Sequence, residues 1–240
     1  MERATGTEVG AGEQTVLLLE CIALLRTHCP WTRALSHESL LEYLIEEAHE
    51  VVETVERGSD LTQELAQELG DVLYQVVLHA RIAEEEGRFG FGDIADGLRR
   101  KLIRRNSHVF QPDGRLRDSI PATIEEIEAR WDEVKRAEKP RRGSVFDGVP
   151  ESLPALARAA KLLSRAERAG ESLTPPLAPA PSSDGVFPDE VFGDEEALGE
   201  ALLAIVAEAR SRGLDAERAL RAALRRREPG TEPSPGPAGT

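Results

Sequence analysis

The apolar residues of this chain recur at helical spacing along most of its length. Val16, Leu19, Ile22 and Ala23 mark a first helix over about 13–27, which Cys29-Pro30-Trp31 interrupts. Ser36 is a favourable N-cap for a second helix that runs to 57 and stops at Gly58-Ser59. On that helix Leu40, Leu41, Leu44, Ala48, Val51, Val52 and Val55 share one arc, expected to be the buried one. A third helix spans 61–86 and ends at Gly87; its main stripe is Leu61, Leu65, Leu69, Val72, Leu73, Val76 and Val77, with Leu78 and Ile82 apolar on another side. Phe89-Gly90-Phe91-Gly92 leads to a fourth helix over 93–105, and 106–120 reads as irregular. Thr123-Ile124-Glu125-Glu126 is a capping box opening a helix to about 139, and another helix covers 153–169 before Gly170. Two more are readable over 195–212 and 216–227. No segment alternates as a strand between hairpin turns. The predicted fold class is all-α, a helical bundle.

Prolines at 175, 176, 179, 181 and 188 among small and acidic residues mark 171–192 as a linker. The expected organisation is a flexible N-terminus (1–12), a principal domain (13–170), the linker (171–192), a shorter helical segment (193–227) and a disordered Pro/Gly tail (228–240). The shorter segment reads as a degenerate half-repeat. Glu68-Leu69-Gly70-Asp71-Val72-Leu73 aligns with Ala197-Leu198-Gly199-Glu200-Ala201-Leu202, and Leu102-Ile103-Arg104-Arg105 with Leu224-Arg225-Arg226-Arg227.

Charge changes the picture at two places. Glu46-Glu47-Ala48-His49-Glu50 and Glu68-Leu69-Gly70-Asp71 interrupt helices that are otherwise strongly apolar. Glu47 and Glu50, and Glu68 and Asp71, each stand at i,i+3 and so share a helix face. Four carboxylates placed together among apolar residues carry a heavy desolvation cost unless a cation compensates them. An oxygen-preferring divalent ion, Mg²⁺ or Mn²⁺, is the simplest remedy. Two such ions would neutralise the four charges, an arrangement suited to clamping a phosphoryl group. Helix four supplies Lys101, Arg104 and Arg105 on one face, the cations a phosphate needs. Trp31 and Trp131 are each available to stack on a base or to anchor a core.

The bulk numbers exclude other classes. A net charge of −14 and a pI near 4.9 leave no basic surface for stable nucleic-acid binding. No apolar run approaches a membrane span, and the N-terminus lacks the apolar core of a signal peptide. Cys21 and Cys29, with no CxxC, read as reduced thiols of a cytoplasmic protein. No GxxxxGK[ST] loop occurs, and a single Glu46-x-x-His49 lacks the partner a di-iron bundle requires. His37, His79 and His108 read as isolated, with ordinary hydrogen-bonded roles.

The chain resembles the MazG-type nucleoside triphosphate pyrophosphohydrolases, whose signature is EExxE, a spacer and ExxD. The likeness continues through Cys29-Pro30-Trp31, Ser36-His37-Glu38-Ser39-Leu40, Glu84-Glu85-Glu86-Gly87-Arg88-Phe89, His108-Val109-Phe110 and Trp131-Asp132-Glu133-Val134-Lys135, covering about 13–170. It implies the all-α NTP pyrophosphatase fold, a homodimer, and Mg²⁺-dependent cleavage of a nucleoside triphosphate between the α and β phosphates. It also implies metal ligation by Glu47, Glu50, Glu68 and Asp71, phosphate binding by Lys101, Arg104 and Arg105, and Trp131 near the nucleotide. Thr32 stands where the family usually has an acid, and only a half-copy follows the linker where longer members carry a second domain. The rival reading is a catalytically weak helical module that binds nucleotides or a regulatory partner.

Overall fold

A computed structural model describes residues 10–58, 63–118, 123, 126–127, 144–171, 173 and 193–228. Eight helices are present among them: α1 (Ala11–His28), α2 (Pro30–Ala34), α3 (Leu41–Arg57), α4 (Glu64–Glu85), α5 (Phe91–Arg105), α6 (Ala155–Ala169), α7 (Glu195–Ser211) and α8 (Ala216–Arg225). The described residues contain no strand, only one antiparallel bridge between Phe110 and Leu116. The chain is all-α, as the periodicity predicts.

Local chemistry sets the helix ends. Gly58 and Gly170 close α3 and α6 in the left-handed conformation, at φ 66° and 72°, which costs a residue without Cβ little. Asp194 and Asp215 cap α7 and α8 by accepting from the backbone amides of Ala197 and Arg218. Thr123 Oγ1 accepts from Glu126 N at 3.3 Å while a Glu126 carboxylate oxygen accepts from Thr123 N at 3.2 Å, the expected capping box. The helix expected beyond it lies outside the described residues, as does the linker.

The start of α3 departs from expectation. Ser36 does not cap it; instead Ser36 N donates to Ser39 Oγ at 2.9 Å and Ser39 N donates to Ser36 Oγ at 3.2 Å. This reciprocal pair satisfies the amides in a separate turn, and the helix begins at Leu41. Residues 30–34, expected only to interrupt α1, form the short α2 with Pro30 in its first turn.

The chain divides into two compact units, Met1–Ala137 and Glu138–Thr240. In the first, α3 lies along α4, and α1 and α5 also pack against α4. Ile22, Leu40, Val77, Leu78 and Ile82 form its core, flanked by Leu18, Leu19, Leu35, Tyr43, Tyr74 and Phe91. In the second, α6, α7 and α8 pack on one another and bury Leu163, Ala166, Ala201, Ala204 and Val206.

The buried faces of α3 and α4 match the periodicity only in part: Leu40 and Val77 of the expected stripes are in the core, and Leu44, Val51, Val72 and Val76 are half-buried. Leu41, Val52 and Val55 of the expected inner arc of α3 are exposed, together with Ile45, and so are Leu69 and Leu73 of α4. On α4 the expected secondary side joins Val77 in the core: Leu78 is fully buried and Ile82 is 4% exposed. On α3 the residues turned inward are Leu40, Tyr43, Glu47 and Thr54. Hydrophobic spacing locates a stripe but does not say which neighbour covers it. His37 and His79, read as isolated, are also paired: their Nδ1 atoms lie 2.7 Å apart and their rings stack at 5.0 Å.

Candidate active site

Tyr43, Glu47, Glu50 and Thr54 follow one another at i, i+4, i+7 and i+11, one face of α3. Glu68, Asp71 and Gln75 do the same on α4 at i, i+3 and i+7. The two faces meet in antiparallel register: Glu50 reaches Glu68, and Glu47 reaches Asp71 and Gln75. Ligand atoms of Glu47, Glu50 and Glu68 all lie within 4.8 Å of one another. Asp71 is outside that group but close enough to act electrostatically on both Glu47 and Glu68.

The cluster is electrostatically strained. Burial raises the Glu47 carboxyl above its ordinary range, and the charges of Asp71, Glu50 and Glu46 raise it further. The Gln75 side chain opposes this by hydrogen bonding to the carboxylate. Glu68 is raised too, first by desolvation, then by its hydrogen bond to Glu50 and by the charges of Glu50, Asp71 and Glu47. No lysine or arginine pairs with Glu47, Glu50, Glu68 or Asp71 among the described residues. Elsewhere in the same unit acids are neutralised: Glu85 by Arg26 and Arg81, Glu53 by Arg57, Asp96 by Arg99 and Arg100. The uncompensated all-carboxylate set is what a hard divalent cation requires, so the donors fit such an ion.

The expected phosphate ligands lie on a neighbouring helix. Lys101 and Arg104 are exposed and Arg105 is partly buried, all in the last turns of α5, the helix packed against α4. Trp131 lies outside the described residues. Trp31 is 59% exposed and meets Tyr43 edge-on at 6.5 Å, one turn before Glu47. The short segment that carries it is pinned from below. Arg26, 8% exposed, donates through Nη1 to the carbonyls of Thr32 at 2.6 Å and Leu35 at 3.0 Å, and through Nη2 to Glu85 at 2.6 Å. Thr32 is itself 2% exposed. Its side chain is engaged with Cys29.

Sequence reasoning passed over Gln75. Its signal was its position: an amide in the apolar run Val72–Val77, one turn beyond Asp71 on the carboxylate face.

An all-α unit whose two antiparallel helices present converging carboxylates, beside a helix rich in lysine and arginine, defines a class of metal-assisted phosphoanhydride hydrolases. Residues 35–110 match the family model described as the MazG nucleotide pyrophosphohydrolase domain. An Escherichia coli K12 protein called nucleoside triphosphate pyrophosphohydrolase is 37% identical over 210 residues, 81% of this chain and 76% of that protein. A Thermotoga maritima protein called nucleoside triphosphate pyrophosphohydrolase/pyrophosphatase MazG is 35% identical over 215 residues, 82% of this chain and 75% of its own length. A 26.1 kDa Streptomyces cacaoi protein of uncharacterized function is 39% identical over 88% of this chain and 78% of that one. The chain therefore belongs to the MazG nucleotide pyrophosphohydrolase family. A MazG-related crystal structure from Thermotoga maritima is 29% identical over 50% of this chain and 98% of its own, with a TM-score of 0.43.

Proposed function

We propose that the chain hydrolyses nucleoside triphosphates, ribo- or deoxyribo-, between the α and β phosphates, giving a nucleoside monophosphate and pyrophosphate. The observation that carries this reading is the convergence of Glu47, Glu50 and Glu68 from two helices, none of them ion-paired to a lysine or arginine among the described residues. Glu47, Glu50, Glu68 and Asp71 would hold Mg²⁺, with Mn²⁺ as a substitute. When bound, such an ion supplies Lewis acidity that neutralises phosphate charge and makes water more acidic.

The chain's own residues do the rest. α3 and α4 fix the carboxylates on facing helices, so the ligand set is organised before substrate arrives. Lys101, Arg104 and Arg105 bind the phosphate oxygens, and Trp131 lies near the nucleotide. The reaction set falls within 13–170. The half-repeat after the linker is not catalytic, because Ala197 replaces Glu68 in its register and the segment 171–192 before it supplies no Glu-Glu-x-x-Glu.

The exposed apolar residues of α3, at positions 41, 45, 52 and 55, repeat at the spacing of a helix–helix seam. With Leu69 and Leu73 of α4 they form a face that a second copy of the chain would cover, and this supports a homodimer. No described helix is long and apolar enough to cross a membrane. The free thiols of Cys21 and Cys29 support a reducing, cytoplasmic setting. Pyrophosphate release from a panel of NTPs and dNTPs, with Mg²⁺ present or chelated, tests the reading. Release that depends on Mg²⁺ is expected. Binding without turnover of any member of the panel would favour a regulatory module instead.

A further inference from the structure

Gln75 of α4 and Thr54 of α3 are the buried uncharged polar side chains on the two carboxylate-bearing faces, and of the two Gln75 touches Glu47. It is 3% exposed, and its position on α4 follows Asp71 by one turn and Glu68 by two. Its side chain hydrogen bonds to Glu47 across the helix pair. Its carbonyl oxygen Oε1 is buried with no hydrogen-bond partner among the described residues. A buried acceptor left unpaired destabilises a fold, so stability alone would favour an apolar residue at this position.

The half-repeat shows that alternative. In the register that aligns Ala197 with Glu68, Ala204 aligns with Gln75 and Val206 with Val77. Ala204 is 5% exposed, and Val77 and Val206 are 2% and 1% exposed, so the position is interior in both copies. Where the carboxylates are missing, the interior residue is apolar; where they are present, it is an amide. We infer that Gln75 is a positioning residue, which holds the Glu47 carboxylate toward Glu50 and Glu68 at the expense of an unsatisfied carbonyl.

This inference rests on the reading that Glu47 helps hold the divalent ion, and outer hydrogen-bond partners of metal ligands commonly set affinity. The test uses the full-length protein with Mn²⁺ alone as the probe, followed by electron paramagnetic resonance, beside thermal unfolding and steady-state kinetics. Gln75→Met keeps the volume and removes the amide. It should weaken Mn²⁺ binding about 10- to 100-fold and lower kcat, while the unfolding midpoint stays level or rises. Gln75→Asn, which keeps the amide on a shorter stem, should fall between wild type and Gln75→Met in Mn²⁺ affinity. Wild-type Mn²⁺ affinity in folded Gln75→Met would overturn the inference. So would a loss of affinity in both variants that only follows a lowered unfolding midpoint, because Gln75 would then be a packing residue. Glu47→Gln separates the two levels: if it binds Mn²⁺ normally the metal reading itself fails, and if it loses Mn²⁺ while Gln75→Met does not, only the positioning role fails.

Discussion

The carboxyl groups of Glu50 on α3 and Glu68 on α4 meet across the helix pair, and after desolvation that contact is the largest cause holding the Glu68 carboxyl above its ordinary range. Neighbouring Glu47 and Asp71 add to the repulsion on Glu68. The helix pair is thus built around a charge deficit.

Relieving that deficit has a measurable consequence. Glu50→Gln removes one carboxylate and leaves an amide facing Glu68. Its unfolding midpoint without divalent ions should equal or exceed that of the wild type, whereas its kcat/KM should fall about 100-fold or more. A variant that is both less stable and fully active would contradict the assignment.

The pH dependence of stability follows from the signs of the shifts. Glu47 and Glu68 are raised, so the folded protein binds more protons than the unfolded chain between the ordinary carboxylate range and their raised values; stability therefore increases as pH falls into that window. Glu85 is lowered, chiefly by its hydrogen bond to Arg26, so its contribution is present above the ordinary range and is lost as pH falls through its depressed value. In EDTA the unfolding midpoint should peak at mildly acidic pH. Adding Mg²⁺ near neutral pH should raise the midpoint and flatten the profile, which a scan from about pH 4 to pH 8 would reveal.

Lys101 offers a test of the basic helix. Lys101→Ala should raise KM for the triphosphate about 10- to 100-fold, the effect of losing a charged hydrogen bond of about 1.5–3 kcal/mol. Its unfolding midpoint should not change, because Lys101 is exposed. Steady-state kinetics at physiological salt decide the matter: an unmoved KM would assign Lys101 to balancing surface charge.

Arg26 tests the support beneath Trp31. Arg26→Met leaves the Leu35 carbonyl without its Arg26 donor, the Thr32 carbonyl with the Leu35 amide alone, and Glu85 with Arg81 alone. The expected cost is about 2 kcal/mol, a fall of about 4–8 °C in unfolding midpoint. Increased quenching of Trp31 fluorescence by acrylamide should accompany it as the 30–35 segment loosens.

The all-α class, the glycine stops and the Asp and Thr caps were legible because each rests on the chemistry of a few neighbouring residues. The carboxylate set was legible because Glu47 and Glu68 are charges inside apolar runs, a local contradiction that functional sites produce. Which faces of α3 and α4 are buried was not legible. Val55, Leu69 and Leu73 belong to the predicted stripes, yet they are exposed in their own unit. Pairings distant in sequence were also silent: Arg26 with Glu85 is 59 positions apart and His37 with His79 is 42. Gln75 gave little signal because a lone uncharged amide in a helix costs little until its burial is known.

The central claim is that this acidic helix pair directs cleavage to the α–β bond. Phosphorus-31 NMR of a nucleoside triphosphate incubated with the full-length protein and Mg²⁺ reads that bond directly, with Glu47→Gln alongside. The account predicts nucleoside monophosphate and pyrophosphate as the first products, formed only with Mg²⁺ and at a rate that collapses in the variant. Nucleoside diphosphate and inorganic phosphate as first products, or an undiminished rate in Glu47→Gln, would contradict it.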